Sequence, residues 1–282
     1  MISIIVPCYN VGPYLEETLQ SVLDQTYKTW ECIVVNDGSP DNTRDIGLAW
    51  EAKDKRFIYL ELKNGGVERA RNKGIERAEG EFILPLDGDD KLASSFLEKT
   101  LQVFKDQPDT MLVYTLVELF EAQQGLFALN SFSLENLAIR NMIVCTALYR
   151  KTEWERTGGY DEMVKYHWED WEHWINMLKD GGKVVLINEA LFYYRIRSGS
   201  GLGGLTPEKM LYMNRYITTK HREFYNKYLG DPLTLYWQHQ HTKESMSKVL
   251  QELSLRNRFK RFTRTPFKSI KNIAKGLLKG KN

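Results

Sequence analysis

Apolar and polar positions along the first ninety residues follow two alternating rhythms. Ile2-Ser3-Ile4-Ile5-Val6 is a nearly unbroken apolar run, as expected of a strand covered on both faces in a parallel sheet, and Pro7 is expected to stop it. Leu15, Leu19, Val22 and Leu23 then recur at helical spacing. Residues 31–36 read as a second buried strand that runs into the turn Asp37-Gly38-Ser39-Pro40-Asp41. A third strand fits 57–62, and Asn64-Gly65-Gly66 opens a helix through about residue 78. The fourth apolar run, 81–86, ends abruptly in Asp87-Gly88-Asp89-Asp90. Strands alternating with helices predict βαβ units, an α/β fold and a mostly parallel central sheet flanked by helices.

Beyond residue 92 the rhythm loosens. A helix over 96–104, a strand over 111–119 and a polar turn over 121–125 are expected, and Ser133 suits the cap of a further helix. Gly158-Gly159 marks a turn. Trp168, Trp171, Ile175 and Leu178 lie three, four and three apart, which predicts a helix with Glu169 and Asp170 in its first turn, where the dipole favours acids. Strands are expected over 184–187 and 191–194, the second leading into Arg195-Ile196-Arg197-Ser198-Gly199-Ser200. Thr206-Pro207 opens a helix to about 229, Asp231-Pro232 breaks it, and another helix runs toward 255. No internal repeat or low-complexity segment interrupts this order.

Charge changes the picture at one end. The net charge of +2 conceals ten Lys/Arg and no Asp/Glu over residues 256–282, leaving 29 basic against 37 acidic side chains in the rest. An acidic body disfavours nucleic-acid binding, which needs a basic face. The basic tail interleaves Phe259, Phe262, Phe267, Ile270, Ile273, Leu277 and Leu278 with its cations, roughly at helical spacing from Phe267. That composition reads as a membrane-surface element facing anionic lipid. Cys8, Cys32 and Cys145 are too few and too widely spaced for a disulfide framework or a metal-ligand set. Met1 leads straight into the first strand without a signal-peptide pattern, and no run approaches the roughly 18 apolar residues of a spanning helix. The expected location is cytoplasmic, or peripheral on the cytoplasmic face of the inner membrane.

Three carboxylates at a strand end repel one another unless a cation such as Mg²⁺ or Mn²⁺ sits among them. By themselves they fit an acidic helix-capping turn equally well. GxGxxG after the first strand and GxxxxGK[ST] are both absent, so phosphates would be held by another device.

Taken in order, several pieces resemble the inverting family 2 glycosyltransferases of GT-A fold. They are Ile4-Ile5-Val6-Pro7-Cys8-Tyr9-Asn10, Val35-Asn36-Asp37-Gly38-Ser39, and Asn64-Gly65-Gly66 leading to Ala70-Arg71-Asn72-Lys73-Gly74. Then follow Gly80-Glu81-Phe82-Ile83 leading to Asp87-Gly88-Asp89-Asp90, Gly158-Gly159-Tyr160-Asp161, Trp168-Glu169-Asp170 and Tyr194-Arg195. Each is weak alone; the ordered set, spanning residues 2 to about 200, is specific.

The resemblance implies an enzyme that moves a hexosyl or N-acetylhexosaminyl group from a nucleotide-sugar, with a UDP-sugar the expected donor. The acceptor would be a hydroxyl of a glycan or lipid-linked molecule in cell-surface polysaccharide or lipopolysaccharide synthesis. It places Pro7, Tyr9, Asp37, Arg71 and Asp87 at the nucleotide, Tyr9 stacking on the base and Asp37 accepting from its edge. Asp87 and Asp89 form the DxD pair at a divalent metal, Mn²⁺ or Mg²⁺, while Asp90 stays a turn and helix-capping residue. Asp170 matches the general base. Glu169, Trp168, Arg195 and Arg197 are candidates at the diphosphate or acceptor. Arg197 stands about where several relatives carry a metal-binding histidine; an arginine cannot ligate a metal but can grip a diphosphate bidentately. For Arg195 a salt bridge to the acidic body is an equal expectation. Periodicity puts Trp171 in the core and leaves Trp168 open. His167 and His173 are expected at the surface or in packing, Cys8 and Cys145 as small hydrophobes.

The implied organisation is 1–95 as the donor half, 96–205 as the acceptor half of the same domain, 206–255 as a helical extension and 256–282 as the basic tail. Two alternatives stay open on the sequence: a catalytically silent sugar-nucleotide-binding or membrane-docking protein, and a sugar nucleotidyltransferase. Oligomeric state is open as well.

Overall fold

The apolar runs become adjacent strands. β1 (Ile2–Cys8), β2 (Trp30–Asn36), β3 (Phe57–Glu61) and β4 (Phe82–Pro85) lie side by side in the order β3-β2-β1-β4, all parallel. Every residue of β1, β2 and β4 is buried, which is why their sequences are continuously apolar. The computed structural model describes residues 1–127, 132–197 and 206–263, with side chains to residue 251.

β1 runs through Pro7, which pairs with Val35, instead of stopping there. Hydrogen-bonding groups along a strand point to alternate sides. The Ile5 carbonyl accepts from Leu86 on the β4 side, so the N–H that Pro7 lacks would point the same way, beyond the last β1–β4 pair, Ile5 with Pro85. A proline is tolerated where no ladder bond is lost.

α1 (Gly12–Leu23), α2 (Thr43–Lys53) and α3 (Val67–Arg77) connect these strands. α3 lies tight on the sheet because Gly74 has no side chain: a Cβ there would stand 2.5 Å from Ile5 Cγ2 and 3.0 Å from Val35 Cγ2.

The second half adds β5 (Lys91–Leu92), α4 (Phe96–Asp106), β6 (Thr110–Glu121), β7 (Gly125–Phe127), α5 (Leu134–Ile139), β8 (Leu148–Arg150), α6 (Lys151–Thr157), α7 (Glu169–Leu178) and β9 (Lys183–Ile196). The described residues make one nine-stranded sheet that continues β4-β8-β6-β9-β5, with β7 on β6. Here pairing is mixed: β6–β9 is parallel, while β4–β8, β6–β8, β6–β7 and β5–β9 are antiparallel. Ser133 caps α5 as expected, its side chain accepting from Asn136 N.

Two expectations need correction. The strands expected over 184–187 and 191–194 are one, because β6 absorbs the polar interruption: Thr115 pairs with Ile187 and Leu116 with Ala190, so Asn188 and Glu189 bulge from the ladder. The helix expected from 207 to 229 is two, α8 (Pro207–Lys220) and α9 (Arg222–Leu229). His221 between them leaves helical geometry, and its side chain bonds the fully buried Glu172 of α7.

A second compact unit begins at Leu229 and holds α10 (Pro232–Thr263). Asp231 caps it, its Oδ1 accepting from Leu233 N at 2.9 Å and Thr234 N at 3.1 Å. The Ser198-Gly199-Ser200 segment and the helical spacing from Phe267 lie outside the described residues. No helix among the described residues is long and apolar enough to cross a membrane.

Candidate functional site

The loops after β1, β2 and β3 interlock at the C-terminal edge of the parallel strands, where open α/β sheets bind ligands. Asp37, 3 % exposed, begins the loop after β2. Its Oδ1 accepts from Gly65 N at 2.9 Å and its Oδ2 from Gly66 N at 2.9 Å, while Asn64 Nδ2 donates to the Asp37 carbonyl at 3.0 Å. Gly66 has φ +101, a conformation open to glycine and strained for other residues. Asp37 thereby builds the loop expected at the base. Pro7 is buried within β1, and Tyr9 presents its ring to solvent, 54 % exposed.

The Asp87-Gly88-Asp89-Asp90 turn packs on the end of β1. A Cβ on Gly88 would stand 3.0 Å from Val11 Cγ2 and 3.2 Å from Cys8 Sγ, which explains the glycine. The three acids then diverge. Asp87 Oδ1 accepts from Arg71 Nη2 at 2.8 Å, and Oδ2 lies 3.6 Å from Cys145 Sγ. Asp89 Oδ2 faces Arg197 Nε at 3.1 Å. Burial and the Asp87 charge push the Asp89 carboxyl above the usual range. Asp90 is fully buried and its Oδ1 accepts from Arg195 N at 2.8 Å. It pins β9 to the turn and caps no helix, contrary to expectation.

Arg195 is a clamp. Nε donates to the Asp89 carbonyl at 2.7 Å, Nη1 to Glu121 Oε2 at 2.6 Å and Nη2 to Glu17 Oε2 at 3.1 Å. Every nitrogen has a partner, and the expected salt bridge to the acidic body is present. Arg197 stands differently, part-exposed beside Asp89.

Arg71, 1 % exposed, joins the two halves. Nη2 binds Asp87 and Nη1 binds Glu169 Oε1, both at 2.8 Å. The strand-end acids and the first turn of α7 therefore share one guanidinium. Burial works against its charge, and Asp87 and Glu169 more than compensate. On the same turn, burial and the Glu169 charge push the Asp170 carboxyl up to about 7. Asn141 Nδ2 donates to Asp170 Oδ2 at 2.8 Å, and Trp171 N to Oδ1 at 2.7 Å. Tyr166 and His167, just before α7, both have positive φ, 63 and 67; strain of this kind gathers at functional sites.

Trp171 is core, its indole N–H donating to the Leu137 carbonyl at 2.7 Å. Trp168 is half-buried, edge-on to Trp171 with centroids 5.3 Å apart. His173 is fully buried and stacked on Tyr160 at 4.0 Å; burial pulls its pKa down to about 4, so it packs as a neutral ring. Cys8 is buried against the turn, whereas Cys145 sits at the site beside Asp87.

Sequence reasoning missed Glu68, which burial, with the Glu169 charge adding to it, pushes up to about 7 in the first turn of α3. It also missed Asn141 and the buried clamp in which Glu172 Oε1 binds Lys220 Nζ at 2.7 Å and His221 Nε2 at 2.6 Å. Glu68 had one visible signal, its place two residues after Gly66; the others had none.

Asp87 and Asp89 are the carboxylates that could hold a divalent cation. No group of three or more His, Cys, Asp or Glu poised for a metal occurs among the described residues. Two carboxylates suit Mg²⁺ or Mn²⁺ completed by substrate phosphates. Asp89, beside Asp87 on the same turn, offers a carboxylate to such a cation, although its Oδ2 already faces Arg197.

The sequence model of Glycosyl transferase family 2 matches residues 3–152. TuaG of Bacillus subtilis, assigned by its name to teichuronic acid biosynthesis, is 35 % identical over 208 residues, covering 71 % of this chain and 81 % of that one. A structure of S. aureus TarS residues 1–349 with UDP-GlcNAc superposes with a TM-score of 0.67 at 22 % identity, over 81 % of this chain and 71 % of that one. The mannosyltransferase PcManGT of Pyrobaculum calidifontis, solved with GDP-Man and Mn²⁺, gives 0.57 at 15 % identity, over 90 % and 83 %. These likenesses give the fold as GT-A, as the sequence led one to expect.

Proposed function

The chain belongs to glycosyl transferase family 2, and from that premise we propose that it moves a sugar from a UDP-sugar to a hydroxyl of a cell-surface glycan or lipid-linked acceptor, with inversion. Family membership sets aside the nucleotidyltransferase alternative. One observation carries the reading: Arg71 ties Asp87, at the end of β4, to Glu169, next to Asp170. A donor-side pair of acids and a candidate base thus stand on either side of one buried cation.

Residues 1–95 form the donor half and 96–205 the acceptor half. Tyr9 stacks on the base and Asp37 shapes the loop beneath it. Asp87 and Asp89 would hold a divalent cation, which would supply charge neutralisation at the leaving diphosphate. Arg197, beside Asp89, grips the diphosphate. Asp170 accepts the proton of the acceptor hydroxyl as its oxygen bonds to the anomeric carbon and the diphosphate departs with the electron pair. One base opposite one leaving group gives single displacement. A base near 7 is half ionised at neutral pH, close to the optimum for proton transfer. Trp168 stands by the acceptor.

The test is release of nucleoside diphosphate from a panel of UDP-, GDP- and dTDP-sugars with Mn²⁺, with and without acceptor lipid extract. Metal-dependent release from one donor, lost in Asp170→Asn, is expected. Release unaltered by that substitution would reject Asp170 as the base.

A further inference from the structure

The stretch running from within α5 into the loop before β8, Leu137 to Ile143, is bound to the base-bearing helix at three points. Trp171 Nε1 donates to the Leu137 carbonyl at 2.7 Å, and Trp174 Nε1 donates to the Ile143 carbonyl at 3.1 Å. Both indoles are buried, Trp171 8 % and Trp174 0 % exposed. Between these two anchors the exposed Asn141 turns its amide onto α7, and Nδ2 donates to Asp170 Oδ2 at 2.8 Å. Its other amide atom is used locally: Oδ1 accepts from Ile143 N at 3.3 Å. That bond fixes which way the amide faces, since a flipped amide would set two donors or two acceptors together. Met142 and Ile143, both 1 % exposed, seat the loop in the core.

From this arrangement we propose that Asn141 is a positioning residue that orients the Asp170 carboxylate toward the acceptor and favours its ionised form. The inference rests on Asp170 being the base.

Asp170 has two oxygens with different duties. Oδ1 is held by the N–H of the next residue in its own helix, a contact any helix-start acid can make. Oδ2 is held from outside the helix, by Asn141 Nδ2. A carboxylate gripped on both oxygens keeps one rotamer, and its remaining lone pairs point in a set direction. Three charged or ionisable groups face it: Glu169 on its own helix, Arg71 from α3 and the Cys145 thiol from the same loop as Asn141. Glu169 and burial disfavour its charge; Arg71, Trp171 N and Asn141 favour it. Asn141 is the one favourable partner whose removal leaves the ion-pair frame around Arg71 intact.

The experiment uses the full chain labelled with carbon-13 at aspartate carboxyls and titrated between about pH 4 and about pH 9. The resonance missing in Asp170→Asn identifies Asp170. In Asn141→Ala its midpoint is expected to rise by about one pH unit, since a donor to the charged form is lost. UDP-GlcNAc is the probe for turnover with Mn²⁺: kcat should fall about tenfold, with donor KM changed less than about twofold. Asn141→Gln, which keeps the amide, should bring the midpoint at least halfway back. An Asn141→Ala midpoint equal to that of the unsubstituted protein would overturn the proposal. Undiminished turnover in Asp170→Asn would instead overturn the assignment of the base, while the titration still reports whether Asn141 grips that carboxyl.

Discussion

Arg197 Nε lies 3.1 Å from Oδ2 of Asp89, so the second of the two acids proposed to hold the metal is matched by a guanidinium. A cation approaching Asp89 has to share that oxygen with Arg197 or displace it. Arg197→Ala should therefore bind Mn²⁺ more tightly in the absence of nucleotide, by about fivefold, the equivalent of ~1 kcal/mol for a part-exposed pair. The same variant should bind a nucleoside diphosphate more weakly, because the charge proposed to grip it is gone. Electron paramagnetic resonance of free Mn²⁺ reads the first effect and calorimetry the second. Equal Mn²⁺ affinity in both proteins would show that Arg197 does not compete at Asp89.

Arg71 is a stability element as much as a site element. Its guanidinium is 1 % exposed between Asp87 and Glu169. Removing one partner of a buried ion pair strands the other charges, at a cost of about 3–5 kcal/mol. Arg71→Met should lose about that much in urea unfolding, and Arg71→Lys should lose less while failing to reach both carboxylates. A loss below ~1 kcal/mol would mean that Asp87 and Glu169 find other partners.

The Asp170 carboxyl predicts two pH dependences. As the proposed base it must be ionised, so turnover should rise with pH through about 7 and level off above it, and Asp170→Asn should lower turnover by about 10²–10⁴-fold. Stability runs the other way. A folded pKa raised above the unfolded value means that the folded state holds the proton more tightly, so stability is fully present below about pH 4 and falls as pH rises through about 7. Asp170→Asn, which cannot ionise, should be the more stable protein at pH 8 by up to ~2 kcal/mol, with the gap closing near pH 4. Thermal melts at the two pH values check the sign. A gap that widened toward acid pH would contradict it.

Ten basic and no acidic residues over 256–282 predict docking on anionic lipid, each cation near the surface adding about 1 kcal/mol. Full-length protein should sediment with phosphatidylglycerol vesicles at low salt and not with phosphatidylcholine vesicles. A variant with six of the ten changed to Gln should stay in the supernatant. Equal sedimentation of both proteins with anionic vesicles would remove the idea.

The features legible in the sequence were the local ones. An unbroken apolar run such as Ile2–Val6 needs cover on both faces whatever surrounds it, so strands β1, β2 and β4 could be read from periodicity. A glycine amid acids at a strand end marks a turn, so Asp87-Gly88-Asp89 could be placed. Family order then supplied Asp170 and the GT-A expectation. Errors came where a distant partner decided. His221 breaks a helix because Glu172, 49 residues away in sequence, waits in the core. Asn188 and Glu189 do not end a strand because β6 accepts a bulge.

The sequence by itself determined that the chain builds a parallel α/β half whose strand ends carry carboxylates, because strand burial and turn chemistry depend on neighbours a few residues away. Only the tertiary structure decided what each polar group does. Arg195 is the last residue but one of β9 and Arg197 stands just beyond its end, and packing gives them different partners, the first a clamp of Glu17 and Glu121, the second Asp89. Asp90 accepts from the Arg195 main-chain N–H across 105 residues, and the Arg71 guanidinium pairs with Glu169 across 98. A buried charge must find its counter-charge, and which one it finds is settled by packing, which no local pattern encodes.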